Sequence, residues 1–254
     1  MSSFDSIPQD KLEAALAERI ADGAVLELIR RFLKQGVMES GKGWSPTETG
    51  TPQGAVLSPL LANIYLNPLD HLMAQRGWEM VRYADDFIIL CESQEQAERA
   101  LAEVRQWVGT AGLTLHPTKT RILDASQRGG FDFLGYHFER GYRWPRQKSL
   151  DKFKETIRAK TRRTRSGSMP EIVEETNRTL RGWMGYFQHS IGNIFPPLDR
   201  WVRGRLRSIL RKRHKGKGRA RGRDHQTWPN AYFAELGLIS LALARAKAAN
   251  AQAH

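Results

Sequence analysis

Four consecutive residues, Tyr83-Ala84-Asp85-Asp86, stand between two apolar runs, Met80-Val81 before them and Phe87-Ile88-Ile89-Leu90 after them. Apolar, β-prone residues on both sides of a short polar break predict two strands joined as a hairpin, with the quartet as its turn. Asp is a common turn residue, so turn geometry alone explains an Asp-Asp pair at such a place. Buried-type flanks nevertheless put the pair on a rigid scaffold, and carboxylate oxygens suit a hard divalent ion such as Mg²⁺. Two ions held in this way clamp the attacking and leaving oxygens of a phosphoryl transfer. On these residues alone, a structural turn and metal-dependent nucleotide chemistry stand level.

The rest of the chain reads as follows. Pro8 opens a helix over about Gln9 to Ile20, with Leu12, Leu16 and Ile20 on one face. Asp22 is placed to cap a second helix, about Ala24 to Lys34, with Val25, Leu28, Ile29, Phe32 and Leu33 inward and Gly36 at its end. Met38 to Gly50 reads as a loop or small hairpin. Gly50-Thr51-Pro52-Gln53-Gly54 then leads into a helix from about Ser58 to Ala74. Pro52 fixes the backbone there, Gly54 admits a ligand closely, and Gln53 offers a flat amide to a base or sugar edge. By spacing alone, a plain helix-entry turn is the simpler reading of that segment. A helix follows Ser93, to about Ala111, with Ala97, Leu101, Val104 and Val108 on one face. Short strands are expected at Leu113–Leu115 and Arg121–Leu123, with His116 as a turn residue between them. Phe131 to Phe138 has the period of a strand.

Composition points to a polyanionic partner. The chain of 254 residues carries a net charge of +13, and its pI is near 10.2. From Arg140 to Arg223 there are 25 Lys/Arg against 6 Asp/Glu, so the remainder is mildly acidic. Such asymmetry marks a nucleic-acid face. Two runs are densest. One holds Arg158, Lys160, Arg162, Arg163 and Arg165; the other, from Arg203 to Arg223, holds Arg203, Arg205, Arg207, Arg211, Lys212 and Arg213. Between them Trp183, Tyr186 and Phe187 are helically spaced and read as core. Alternating glycine and charge from Lys215 to Arg223 predicts a mobile loop that orders on RNA. Trp228, Tyr232, Phe233 and Leu236 predict a helix packing back. No apolar run reaches the ~20 residues of a membrane span, and the basic runs lack a matching apolar face, which disfavours a membrane partner. A single cysteine, Cys91, fits a reducing, cytoplasmic setting.

Taken in order, these motifs resemble group II intron-encoded reverse transcriptases with a maturase region. Tyr83-Ala84-Asp85-Asp86 is similar to their metal-binding motif, and Gly50 to Gly54 with Leu57 to Asn63 to their template- and nucleotide-positioning motif. Gly112-Leu113-Thr114-Leu115 through Lys119-Thr120, and Phe133-Leu134-Gly135-Tyr136, resemble the two that follow. Leu180-Arg181-Gly182-Trp183 with Tyr186-Phe187 looks like the thumb or maturase region. The resemblance implies an α+β fold: a partial polymerase palm, antiparallel sheet on helices, over residues 1–142, and a basic helical thumb over 143–254. It implies Asp85 and Asp86 as catalytic ligands of Mg²⁺, with Mn²⁺ as an alternative. Phe4, Pro52, Gln53, Gly54 and Lys119 would position nucleotide and template, Gly135 would lie beside the primer, and the basic residues above, with Arg181, would bind RNA. The implied partners are group II intron RNA, an RNA template with a DNA primer, and dNTPs; a homodimer is left open.

The family's third carboxylate lies five residues before the aromatic matched by Phe4, which would fall upstream of Met1. Asp5 should point to the opposite face of that strand. The expectation is therefore a carboxy-terminal part of a longer protein that binds RNA but polymerises poorly alone. The alternatives are an RNA-binding splicing cofactor without polymerase activity, or an inactive remnant.

Overall fold

Asp22, Ser93 and Ser168 each accept backbone N–H bonds at a helix start, and these caps set where their helices begin. Asp22 accepts from the amides of Ala24 (2.8 Å) and Val25, and Ser93 from Gln96 (3.2 Å). Ser168 and Glu171 form a reciprocal capping box. The computed structural model describes residues 7–35, 37–39, 43–45, 56–217 and 222–252. Phe4, Pro52, Gln53 and Gly54 lie outside the described residues, as do Asp5 and residues 218–221 of the glycine-rich segment. The chain divides into two compact units, residues 1–122 and 123–254.

The first unit runs α1 (Gln9–Ala17), α2 (Gly23–Leu33), the antiparallel pair β1 (Val37–Glu39) and β2 (Gly43–Ser45), α3 (Ser58–Gln75), the hairpin β3 (Glu79–Tyr83) and β4 (Asp86–Leu90), and α4 (Gln94–Thr110). Leu12, Leu16, Leu33, Leu61, Leu66, Leu69, Met73, Val104 and Val108 form its core, with Met80, Phe87 and Ile89 of the hairpin packed on it. Two expectations fail here. Val25 and Leu28 are exposed, because α2 buries the Leu26-Ile29-Leu33 stripe instead. Leu113–Leu115 and Arg121–Leu123 are not strands. Leu113 N–H returns to the Val108 carbonyl (2.9 Å) to close α4, and its buried side chain serves the core rather than a ladder.

The second unit opens with a three-stranded antiparallel sheet, β5 (Phe131–Phe133), β6 (Tyr136–Glu139) and β7 (Tyr142–Pro145). Residues 131–138 are thus two strands, not one. Leu134 (φ 47°) and Gly135 (φ 81°) both take left-handed backbone, as a two-residue type I′ loop requires, and Arg140 (φ 52°) with Gly141 (φ 78°) repeats the device. Then come α5 (Gln147–Lys160), α6 (Met169–Phe187), a single 3₁₀ turn (Gly192–Ile194), α7 (Phe195–Arg213), α8 (Gly222–Thr227), α9 (Asn230–Glu235) and α10 (Leu241–Gln252). Gly222 and Arg223 open α8 rather than closing a loop, and Trp228 lies between two short helices rather than on one. The core forms around Phe153, Ile157, Leu180, Phe195, Val202, Leu206 and Phe233. The Trp183 ring stands 4.6 Å from that of Phe153 and 4.9 Å from that of Phe187. The whole is α+β: small antiparallel sheets on helices, then a helical unit. No helix of the described residues is long and apolar enough to cross a membrane.

Two buried charges hold the second unit together. Asp199 takes the free amides at the start of α10, accepting from Leu241 (2.8 Å) and Ala242 (3.1 Å) and from the Ser240 hydroxyl (2.7 Å). Asp199→Ala is expected to cost about 1–2 kcal/mol, as the loss of a helix cap does. Hydrogen exchange at the Leu241 and Ala242 amides should rise first. Arg207 is 2% exposed. It donates to the Trp228 carbonyl (2.8 Å) and to Asn230 Oδ1 (2.7 Å), and its guanidinium lies 5.1 Å from the Phe233 ring centre. Removing it strands both acceptors, so Arg207→Met should destabilise this unit by about 2–3 kcal/mol in a thermal melt.

Candidate metal centre and nucleic-acid interface

The hairpin forms as the apolar flanks require, but its loop is shorter than the quartet. Tyr83 pairs with Asp86 as the last rung of the ladder, leaving Ala84 and Asp85 as the two loop residues. Ala84 has φ 54°, a left-handed conformation that costs a non-glycine residue roughly 1–2 kcal/mol. Alternation sends Met80, Arg82, Phe87 and Ile89 to one face. Val81, Tyr83, Asp86 and Ile88 go to the other, where Val81 and Tyr83 are exposed. Asp85 is half-buried and Asp86 exposed. Neither carboxylate has a hydrogen-bond or ion-pair partner among the described residues.

The cation that reaches this loop, Arg82, is already committed. Arg82 Nε donates to Asp70 Oδ1 (2.7 Å) and Nη2 to Asp70 Oδ2, while Nη1 donates to Asn63 Oδ1 (2.9 Å) and to the Ala84 carbonyl (2.8 Å). This network escaped the sequence reading, although its signal was there: by period two, Arg82 falls on the same face as Met80. Two uncommitted carboxylates on adjacent residues fit a divalent ion as oxygen ligands. Among the described residues no third metal-ligating side chain joins them. Lys119 is exposed in the turn after Pro117, and His116 Nδ1 faces the Thr118 hydroxyl at 3.3 Å, as a turn residue does. Cys91 is half-buried just beyond β4, and burial raises its thiol pKa.

The basic residues expected to contact RNA fall into three groups. Arg158, Arg162 and Lys212 are exposed and form no ion pair among the described residues; Arg158 lies 5.7 Å from the Trp201 ring centre. Arg163 and Arg203 are half-buried, and each has a buried Nε without a protein partner. The others are tied to the protein. Arg165 pairs with Glu175 (2.6 Å), Arg181 with Glu174 (3.0 Å) and Arg211 with Asp224 (2.7 Å). Lys160 donates to the Glu175 carbonyl, Arg205 to the Thr161 carbonyl and Arg213 to the Gly167 carbonyl. Arg207 departs from the surface role expected of it, because the return of Trp228 and Asn230 onto α7 encloses it. Burial holds the Arg205 pKa below its ordinary value, and the charges of Arg158 and Arg163 add to this. Gly135 occupies the β5–β6 loop, where an added Cβ would meet Ser149 Oγ at 3.3 Å. Its carbonyl accepts from Ser149 Oγ and the Arg146 amide.

The comparisons with known proteins match both parts of the chain to family models. Residues 1–138 match the family model of reverse transcriptase (RNA-dependent DNA polymerase), and residues 150–228 match that of the group II intron maturase-specific domain. The chain belongs to the reverse transcriptase family, in its group II intron branch with a maturase domain. Among curated relatives, it is 44% identical over 72 residues to the group II intron-encoded protein LtrA of Lactococcus lactis, covering 28% of this chain and 12% of that protein. It is 30% identical over 181 residues to an uncharacterized 91 kDa protein in the cob intron of Schizosaccharomyces pombe, covering 48% and 22%. It is 29% identical over 174 residues to protein YkfC of Escherichia coli, covering 55% and 45%. The chain thus spans less than half the length of each of these relatives.

Proposed function

We propose that the chain acts in RNA-directed DNA synthesis as part of a group II intron reverse transcriptase and maturase. Asp85 and Asp86 hold Mg²⁺, or Mn²⁺ in its place, for nucleotidyl transfer from dNTPs to a DNA primer on an RNA template. The observation that carries this reading is the hairpin, which presents two adjacent carboxylates with no partner among the described residues. A bound divalent ion supplies Lewis-acid stabilisation of the charge that builds up on the reacting oxygens. The chain's own contribution is positioning and charge. Asp85 and Asp86 orient the ion, and residues 1–142 form the palm part that carries them. Lys119, exposed in its turn, neutralises the incoming triphosphate; Phe4, Pro52, Gln53 and Gly54 position nucleotide and template; Gly135 lies on the primer side.

Residues 143–254 grip intron RNA or template–primer duplex through phosphate contacts from Arg158, Arg162, Arg163, Arg203 and Lys212. RNA of this kind is recognised largely by shape and backbone. The described residues offer two carboxylates and no third, so slow extension is expected from this chain. A reducing, cytoplasmic setting accords with free Cys91. The test is single-turnover primer extension on an RNA template, with protein in excess. Metal-dependent addition of the templated nucleotide supports the reading. Salt-sensitive RNA binding without addition at any metal concentration would overturn it in favour of a splicing cofactor.

A further inference from the structure

One guanidinium holds the Asp85 loop from beneath. Arg82 faces the core from β3, opposite Phe87, and its side chain is 11% exposed. A cation so placed is costly unless paired and hydrogen bonded. Arg82 meets that demand with two bonds to Asp70 and one to Asn63, and spends a further one on the Ala84 carbonyl. That carbonyl belongs to the peptide linking Ala84 to Asp85. The bond therefore grips the plane from which Asp85 departs, at the residue whose φ of 54° is least favourable. Asn63 and Asp70 stand seven residues apart on α3, about two helical turns, so both face the same side. The helix thus presents a ready-made cradle to a strand residue.

We propose that Arg82 is the positioning residue of the metal centre. It fixes the left-handed Ala84 peptide, and with it the bearing of the Asp85 and Asp86 carboxylates. Asp70 has a second task in this arrangement. By taking up the guanidinium charge, it keeps Arg82 from swinging over to pair with Asp85 or Asp86 and occupy the ligand oxygens. The arrangement needs arginine: one planar fork reaches Asp70, Asn63 and the Ala84 carbonyl together, which a lysine ammonium cannot do. This inference rests on the reading of Asp85 and Asp86 as divalent-metal ligands.

The test uses Mn²⁺ alone as probe, its binding to the full chain followed by water-proton relaxation, with a thermal melt of each variant. Asp85→Ala should lose the site. Arg82→Lys keeps the charge beside Asp70 and should retain a cooperative melt, yet bind Mn²⁺ about tenfold more weakly, in the range found when ligand-supporting groups are removed. Asp70→Asn should weaken binding as well, because the freed guanidinium turns to the carboxylates. Parent-like Mn²⁺ affinity in both Arg82→Lys and Asp70→Asn, with loss in Asp85→Ala, would overturn the proposal and leave Arg82 a purely structural residue. Parent-like affinity in Asp85→Ala would overturn the metal-centre reading itself, a separate failure. If Arg82→Lys melts without cooperativity, Asp70→Asn decides by the same criterion.

Discussion

Replacing Asp85 with Ala is expected to lower metal-dependent extension of a DNA primer on RNA by about a hundredfold or more. The figure follows from the sensitivity of metal sites even to supporting groups, which cost 10- to 100-fold when removed. Asp86→Ala should act in the same direction. Duplex affinity should stay within about twofold of the parent, because phosphate contacts supply it and Arg158, Arg162, Arg163, Arg203 and Lys212 belong to the other unit. Neither change should cost the hairpin its fold. The packing of β3 and β4 comes from Met80, Phe87 and Ile89, and neither carboxylate has a partner to lose among the described residues. Titrating divalent metal in single-turnover assays separates the two effects. A loss recovered at high metal concentration marks weakened binding, and a loss that persists marks lost transition-state stabilisation.

The second large effect is on salt dependence. If Arg158, Arg162, Arg163, Arg203 and Lys212 each meet a phosphate, log Kd should rise with log salt at roughly 0.7–0.9 per contact, or about two to three orders of magnitude between 50 and 200 mM salt. Arg158→Gln with Arg162→Gln should flatten that slope by between about one and two units. Arg181→Gln should change it little, because the Glu174 pair already engages that guanidinium. Arg207→Met should lower the melting temperature and leave the slope alone. Filter binding across a salt series measures all of these together.

These two predictions draw on features that differed in how legible they were. The hairpin was plain from its apolar flanks, because strands buried on one face leave few alternatives for a short polar break. Its closing pair was not. Nothing in Tyr83-Ala84-Asp85-Asp86 says that Tyr83 and Asp86 join the ladder and leave a two-residue loop, since that follows from the register the core selects. Residues 131–138 are a different case. The phase of the apolar positions shifts at Phe133-Leu134, where the left-handed backbone of Leu134 and Gly135 divides the stretch into two strands. The second helix was placed within a residue at each end, its start by the Asp22 cap, while Gly36, read as its stop, lies outside the described residues; its inner face was misjudged at Val25 and Leu28. A cap is local, whereas the buried stripe depends on what packs against it.

Charge misled in a different way. A dense basic run reads as solvated surface, so Arg207 was grouped with its neighbours. On α7, Leu206, Arg207, Ser208, Ile209 and Leu210 are all buried in succession, which no single amphipathic stripe produces. The chain returning through Trp228 and Asn230 creates that environment, and a contact of this range leaves no periodic trace in sequence. Arg82 shows the converse. Its inward bearing was readable from strand alternation, but its partners Asn63 and Asp70 lie on another element.

The most direct measurement of the central claim is iron-mediated cleavage of the chain. Fe²⁺ substitutes for the divalent ion and, with ascorbate and peroxide, generates hydroxyl radicals that cut nearby backbone, with the RNA template–primer duplex bound. The account predicts cleavage around Tyr83 to Phe87, competed by Mg²⁺ and absent from Asp85→Ala. Cleavage elsewhere with the hairpin intact, or hairpin cleavage unchanged in Asp85→Ala, would contradict it.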